Sequence, residues 1–94
     1  MGRRERPKPL ELAPGWPDDP SADPVGEVAR QFALNLRDAL GTESARSAAA
    51  RFDLDHVTLL AILGGRSWPD MQTVAKIEIA LDTDLWPRRD ATSD

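Results

Sequence analysis

Proline decides where this chain can be regular. Eight of its 94 residues are proline, and six of them, Pro7, Pro9, Pro14, Pro17, Pro20 and Pro24, fall before residue 25. Each removes a backbone donor and pushes its predecessor toward extended geometry, so residues 1–23 are expected to form an extended arm without helix or central strand. Pro69 and Pro87 are the remaining two. With 40% hydrophobic residues, 5% aromatic and no tyrosine, the core between these marks must be mostly Ala, Leu, Val and Ile, which favours helix over sheet.

Asp23-Pro24 reads as a helix N-cap followed by proline at the first helical position, where its missing N–H costs nothing. Val25, Val28, Ala29, Phe32, Leu36, Ala39 and Leu40 then recur at intervals of three and four, and Gly41 closes the run, which predicts a first helix over 24–40. Thr42 or Ser44 caps a second helix reaching Phe52, with Ala45, Ala48, Ala49 and Phe52 on one face. Asp53 occupies a turn position that favours left-handed backbone. Asp55 caps a third helix, 55–63, whose Leu59, Ile62 and Leu63 face inward and which Gly64-Gly65 ends. Small residues in the second helix let the third approach at a steep angle, the geometry of a helix-turn-helix. A fourth helix begins at Pro69-Asp70, turns Met71, Val74, Ile77 and Leu81 inward and stops at Asp82. Leu85 and Trp86 are expected to fold back onto the core. The resulting organisation is a Pro-rich arm (1–23) that Leu10, Leu12 and Trp16 can anchor, a compact all-α domain of four to five helices (24–87), and a flexible tail (88–94).

Several chemistries find no support in the residues. The chain has no cysteine, which excludes disulfides and thiolate metal sites. No apolar run approaches the ~18 residues that span a bilayer, and the basic start GRRERPKP precedes no apolar signal core. A cytoplasmic protein with no membrane partner is expected. His56 is the only histidine. There is no nucleophile with a base, no paired carboxylates with a pocket, no glycine-rich phosphate loop and no metal spacing, so neither an enzyme nor a cofactor- or metal-binding protein is expected. Net charge is −4 at pH 7, and it is unevenly placed. Arg3, Arg4, Arg6 and Lys8 make the start basic, whereas Asp18, Asp19, Asp23 and Glu27 make the next segment acidic.

Ala48-Ala49, Asp53, Leu54, Thr58, Leu59, Ile62 and Gly65, followed by Pro69, Val74, Ile77, Ala80 and Leu81, resemble the Cro/cI-like, Xre-type helix-turn-helix regulators. The resemblance covers about residues 25–87 and needs no insertion from Ala48 to Leu85. The ending WPDMQTVAKIEIALDTDLWP looks like small regulators of actinobacteria and their phages. The resemblance implies a lambda-repressor-like fold and a sequence-specific DNA-binding transcriptional regulator, a repressor, that places the third helix (55–63) in the major groove of double-stranded DNA. It assigns base reading to His56, Val57, Thr58 and Ala61, with Leu60 adjacent. Phosphates would be held by Ser44, Ala45, Arg46, Arg51, Arg66 and Ser67. Independently of that resemblance, Arg3, Arg4, Arg6 and Lys8 could form a minor-groove arm of the kind homeodomains carry, the alternative being a solubilising tail. A homodimer spanning two half-sites is implied as well, with Ala75 and Ile79 as a candidate seam unless they cover Leu12 or Trp16 of the arm. Val57 and Ala61 depart from the polar residues usual at their positions; apolar side chains can read thymine methyls but make no bidentate bonds to guanine or adenine. The alternative is a helix-turn-helix-fold module that binds a protein partner through the apolar face of the third helix, unless Leu60 packs beneath a neighbouring helix.

Overall fold

A computed structural model describes residues 6–87, and those residues are all-helical: α1 (Pro9–Leu12), α2 (Pro24–Leu40), α3 (Ala45–Phe52), α4 (His56–Leu63) and α5 (Met71–Leu81). The predicted caps hold the starts. The Asp23 carboxylate accepts from the Val25 and Gly26 amides, Ser44 Oγ from Ser47 N–H and Asp55 from Val57 N–H. Asp70 accepts from Thr73 N–H, so the last helix opens at Met71. Asp53 and Asp82 stop α3 and α5 in the left-handed region, at φ 57° and 53°. Arg3, Arg4 and the predicted tail 88–94 lie outside the described residues.

The core draws on every long element: Phe32 and Leu36 of α2, Ala48, Ala49 and Phe52 of α3, Leu59 and Ile62 of α4, Ile77 of α5, and Leu85. The closing turn is fastened by polar contacts. Asn35 Nδ2 donates to the Leu85 carbonyl at 2.8 Å, and one Glu78 carboxylate oxygen accepts from the Leu85 and Trp86 amides at 2.7 and 2.9 Å. Trp86 stays half-exposed with its ring 6.0 Å from that of Phe32. Three members of the predicted apolar stripes face out instead: Met71 is 87% exposed and Val25 59%, and Ala39, in the last turn of α2, is exposed as well. Met71 and Val25 lie in the first turn of their helices and Ala39 in the last turn of its own, beyond the edge of the core that the rest of each stripe covers.

The extended arm is also corrected. Residues 9–12 form one helical turn that starts on a proline, the position where proline is tolerated. Pro9 and Ala13 are buried. Gly26 of α2 is the point of close approach, because a Cβ there would lie 2.7 Å from Leu12 Cβ. Ser21 Oγ donates to the Leu12 carbonyl at 2.6 Å, and Arg30, only 7% exposed, donates to the Pro17 carbonyl at 2.9 Å. The Trp16–Pro17 peptide is cis. Tertiary hydrogen bonds, rather than local propensity, organise this segment.

Arg30 also donates twice to the Glu27 carboxylate, at 2.9 and 2.7 Å. This pairing, then the Ser21 amide and Gln31, lowers the Glu27 pKa from 4.5 to about 2. The folded state thus favours the ionised form, so the stabilisation is complete above pH 4.5 and fades as pH falls from 4.5 to about 2. Melting temperature followed by circular dichroism should drop across that window. Glu27→Gln should lower it at pH 7 and flatten the acid dependence; an unchanged acid slope would assign the effect to other carboxyls.

Candidate nucleic-acid interface

α3, the left-handed Asp53 and α4 form the predicted helix-turn-helix. Leu59 and Ile62 turn one side of α4 into the core, so helical spacing puts Val57, Leu60 and Ala61 on the opposite side. Val57 is 60% exposed and Leu60 43%. Thr58 is exposed as well, and His56 and Ala61 are half-buried. All four base-reading candidates are therefore reachable, and Leu60 does not pack beneath a neighbouring helix. The result is a short helix with an apolar outward stripe and polar groups at its start.

Cations stand near both ends of α4. A shallow hollow of about 260 Å³ between α3 and the α4 start is lined by Arg46, Ala49, Ala50, Leu54, Asp55 and His56, so Arg46 and His56 border the same depression. Arg66, exposed, folds its guanidinium back against Gly64 at the α4 C-terminus. Ser67 follows it, half-buried. At the α3 N-terminus Ser44 is used as the cap, and the Ala45 and Arg46 amides have no acceptor among the described residues, so these donors are available to an anion. Arg51 is differently placed. Its guanidinium donates to Glu43 and holds that carboxyl below its ordinary range, with Ser47 assisting. The bonds use Nε and one terminal nitrogen, so the other N–H groups of this exposed guanidinium remain open to a phosphate.

Acidic groups border the same surface. Asp55 Oδ1 lies 3.8 Å from His56 Nδ1, and Asp53 is paired with Lys76 at 3.6 Å.

Arg6 and Lys8 are exposed, but they do not belong to a detached arm. Trp68 Nε1 donates to the Pro7 carbonyl at 2.8 Å, and the Arg6 guanidinium lies 5.8 Å from the Trp68 ring centroid. Leu10 N–H donates to the Gly65 carbonyl at 2.9 Å, and Trp16 Nε1 to the Leu63 carbonyl at 2.9 Å. These contacts stitch the N-terminal segment to the end of α4 and the loop after it: Leu10, Leu12 and Trp16 are anchors, as expected, but their docking points at Gly26, Leu63 and Gly65 were not legible in the sequence. The same packing leaves an apolar cavity of about 330 Å³ bounded by Trp16, Trp68, Trp86, Val28 and Phe32.

Leu12 and Trp16 are thus committed to Gly26 and Gly65, and neither covers α5. Ala75 is exposed and Ile79 is 79% exposed. No helix among the described residues is long and apolar enough to cross a membrane. Comparison with protein families, curated proteins and solved structures returns no match for this chain.

Proposed function

We propose that this protein is a sequence-specific DNA-binding transcriptional regulator, a repressor, that lays α4 in the major groove. The carrying observation is the uncovered outward side of α4, with Arg46 near its start and Arg66 folded against its end. His56 and Thr58 supply the hydrogen-bonding side chains, and Val57 and Ala61 meet thymine methyls. The free amides of Ala45 and Arg46, together with Arg46, Arg66 and Ser67, hold phosphates. Arg51 joins them through the guanidinium N–H groups that Glu43 leaves unused. Two copies meet through the exposed Ala75 and Ile79 of α5 and present two reading helices to adjacent half-sites.

Salt titration on random-sequence and promoter duplexes tests this reading, because affinity for DNA falls with a log–log slope of about −0.9 per phosphate contacted. Arg66→Ala should weaken every sequence alike and flatten the slope by roughly one contact, whereas His56→Ala should cost roughly 1–3 kcal/mol at the cognate site only. An unchanged sequence preference in His56→Ala would remove it from the reading set. The exposure of Val57 and Leu60 favours one second reading, a protein-interaction module that keeps the fold and uses this stripe to bind a partner. Absence of binding to either duplex at low salt would discard the DNA reading in its favour.

A further inference from the structure

We propose that the tryptophan-lined cavity between the N-terminal segment and α2 binds a small, uncharged, two-ring aromatic compound. The site goes beyond the DNA-binding reading and does not depend on it. All three tryptophans of the chain reach this one cavity, and they come from separate stretches of sequence: Trp16 from the N-terminal segment, Trp68 from the loop after α4 and Trp86 from the closing turn. Phe32 adds a fourth ring, and Val28 and Ala29 of α2 form an aliphatic wall. None of the lining residues carries a charge. The cavity reaches solvent where Val25 and Trp86, 59% and 52% exposed, border it.

The rings do not fall inward to fill the space, because each is fastened elsewhere. Trp16 Nε1 donates to the Leu63 carbonyl and its indole packs on Gly65, while Trp68 Nε1 donates to the Pro7 carbonyl. The Trp86 amide is held by Glu78, and its ring meets that of Phe32 at an interplanar angle of 55°. The space is therefore preformed, and a ligand need not order the walls as it enters. Ligand pockets begin at about 300 Å³. At about 330 Å³ this one has roughly twice the volume of the ~150 Å³ apolar cavity that takes up benzene, which sets the ligand at two fused rings. The walls set its polarity. With the Trp16 and Trp68 N–H groups bonded to backbone, the Ser67 hydroxyl and the Trp86 N–H are the remaining side-chain hydrogen-bonding groups, enough for one small polar substituent. A charged compound would lose hydration there without meeting an opposite charge. Four rings favour an aromatic guest, since offset and edge-to-face contacts add to what buried area alone supplies.

The test follows the three indole N–H cross-peaks in a nitrogen–proton correlation spectrum of the labelled protein during titration with 2-naphthol. The peaks should shift together and saturate with a dissociation constant of about 0.1 mM, the range for a ligand of this size. The charged analogue 2-naphthoate should bind roughly tenfold more weakly or worse, and decahydro-2-naphthol, similar in size but without π-electrons, several-fold more weakly. Ala29→Leu, which fills part of the cavity and keeps a good helix former in α2, should weaken 2-naphthol roughly tenfold. Trp86→Ala, which takes away a half-exposed wall, should weaken it several-fold. Met71→Ala, at an exposed apolar residue outside the lining, should leave it unchanged, and circular dichroism confirms the helices of each variant. Absence of a saturable shift, equal binding of 2-naphthoate, or full affinity in both Ala29→Leu and Trp86→Ala would overturn the site. Equal binding of the decahydro compound would overturn the aromatic class of the ligand, and an equal loss in Met71→Ala would reduce the effect to general adsorption on apolar surface. Peaks that move with protein concentration alone and no further with 2-naphthol would give the cavity to a second copy of the chain instead. Each of these failures leaves the DNA-binding reading where it stood.

Discussion

Phe52→Ala should leave most of the domain unfolded in moderate urea. Phe52 is 2% exposed, ends α3 and packs in the one core that joins α2, α3, α4, α5 and Leu85. Deleting a buried phenyl ring costs about 3–5 kcal/mol, because transfer energy is lost and the cavity relaxes only in part. A domain this small has a total stability of order 5–10 kcal/mol, so one truncation removes a large share of it. The site also collapses poorly. Its α3 neighbours Ala48 and Ala49 are already small, and neither can extend into the gap. Urea unfolding followed at 222 nm should show the midpoint reduced by about half or more with the slope unchanged. A loss below ~1 kcal/mol would mean that Phe52 is not the closing residue of the helix-turn-helix.

Gly65→Ala should be the second most damaging change, although it adds a single methyl. Gly65 has φ +73°, and a Cβ there would stand 2.7 Å from Trp16 Cε2 and 3.0 Å from Leu10 Cβ. The left-handed backbone alone costs a non-glycine residue about 1 kcal/mol, and the methyl must also push the Trp16 indole off its bond to the Leu63 carbonyl. A total of roughly 2–4 kcal/mol is expected, of the kind associated with strain at a special backbone position. Gly64→Ala is the control. Gly64 has φ −87°, and its added Cβ meets chiefly the far end of the flexible Arg66 side chain; the cost should stay below ~1 kcal/mol. Equal effects at the two positions would contradict the packing of the N-terminal segment on the α4 end.

The pair of glycines also marks what the sequence could disclose. Caps and periodicity are local, so Asp23, Ser44, Asp55 and the left-handed Asp53 were legible, as were the inward faces of α3 and α4. Gly64-Gly65 was legible as a helix stop, but not Gly65 as a docking point, because Trp16 lies 49 residues earlier. The anchors Leu10, Leu12 and Trp16 of the N-terminal segment were legible, but its helical turn and its docking point eluded pattern reading for the same reason. Its fasteners join residues 47 and 61 positions apart, and proline propensity alone predicts extension. Arg30 shows the effect inside a helix: an arginine reads as a solvated position until Pro17 and Glu27 enclose it. At the candidate interface, the outward side of α4 followed by elimination from its inward side. The engagement of Arg51 by Glu43 depends on how the α2–α3 connection folds, which residue spacing does not encode.

The central claim is that the uncovered side of α4 reads DNA, and selection of bound duplexes from a random pool by the intact protein measures it most directly. The account predicts enrichment of a site containing thymines opposite Val57 and Ala61, repeated as two half-sites with two-fold symmetry and centres about 10 base pairs apart. Recovery of the input pool unchanged after successive rounds at low salt would contradict it.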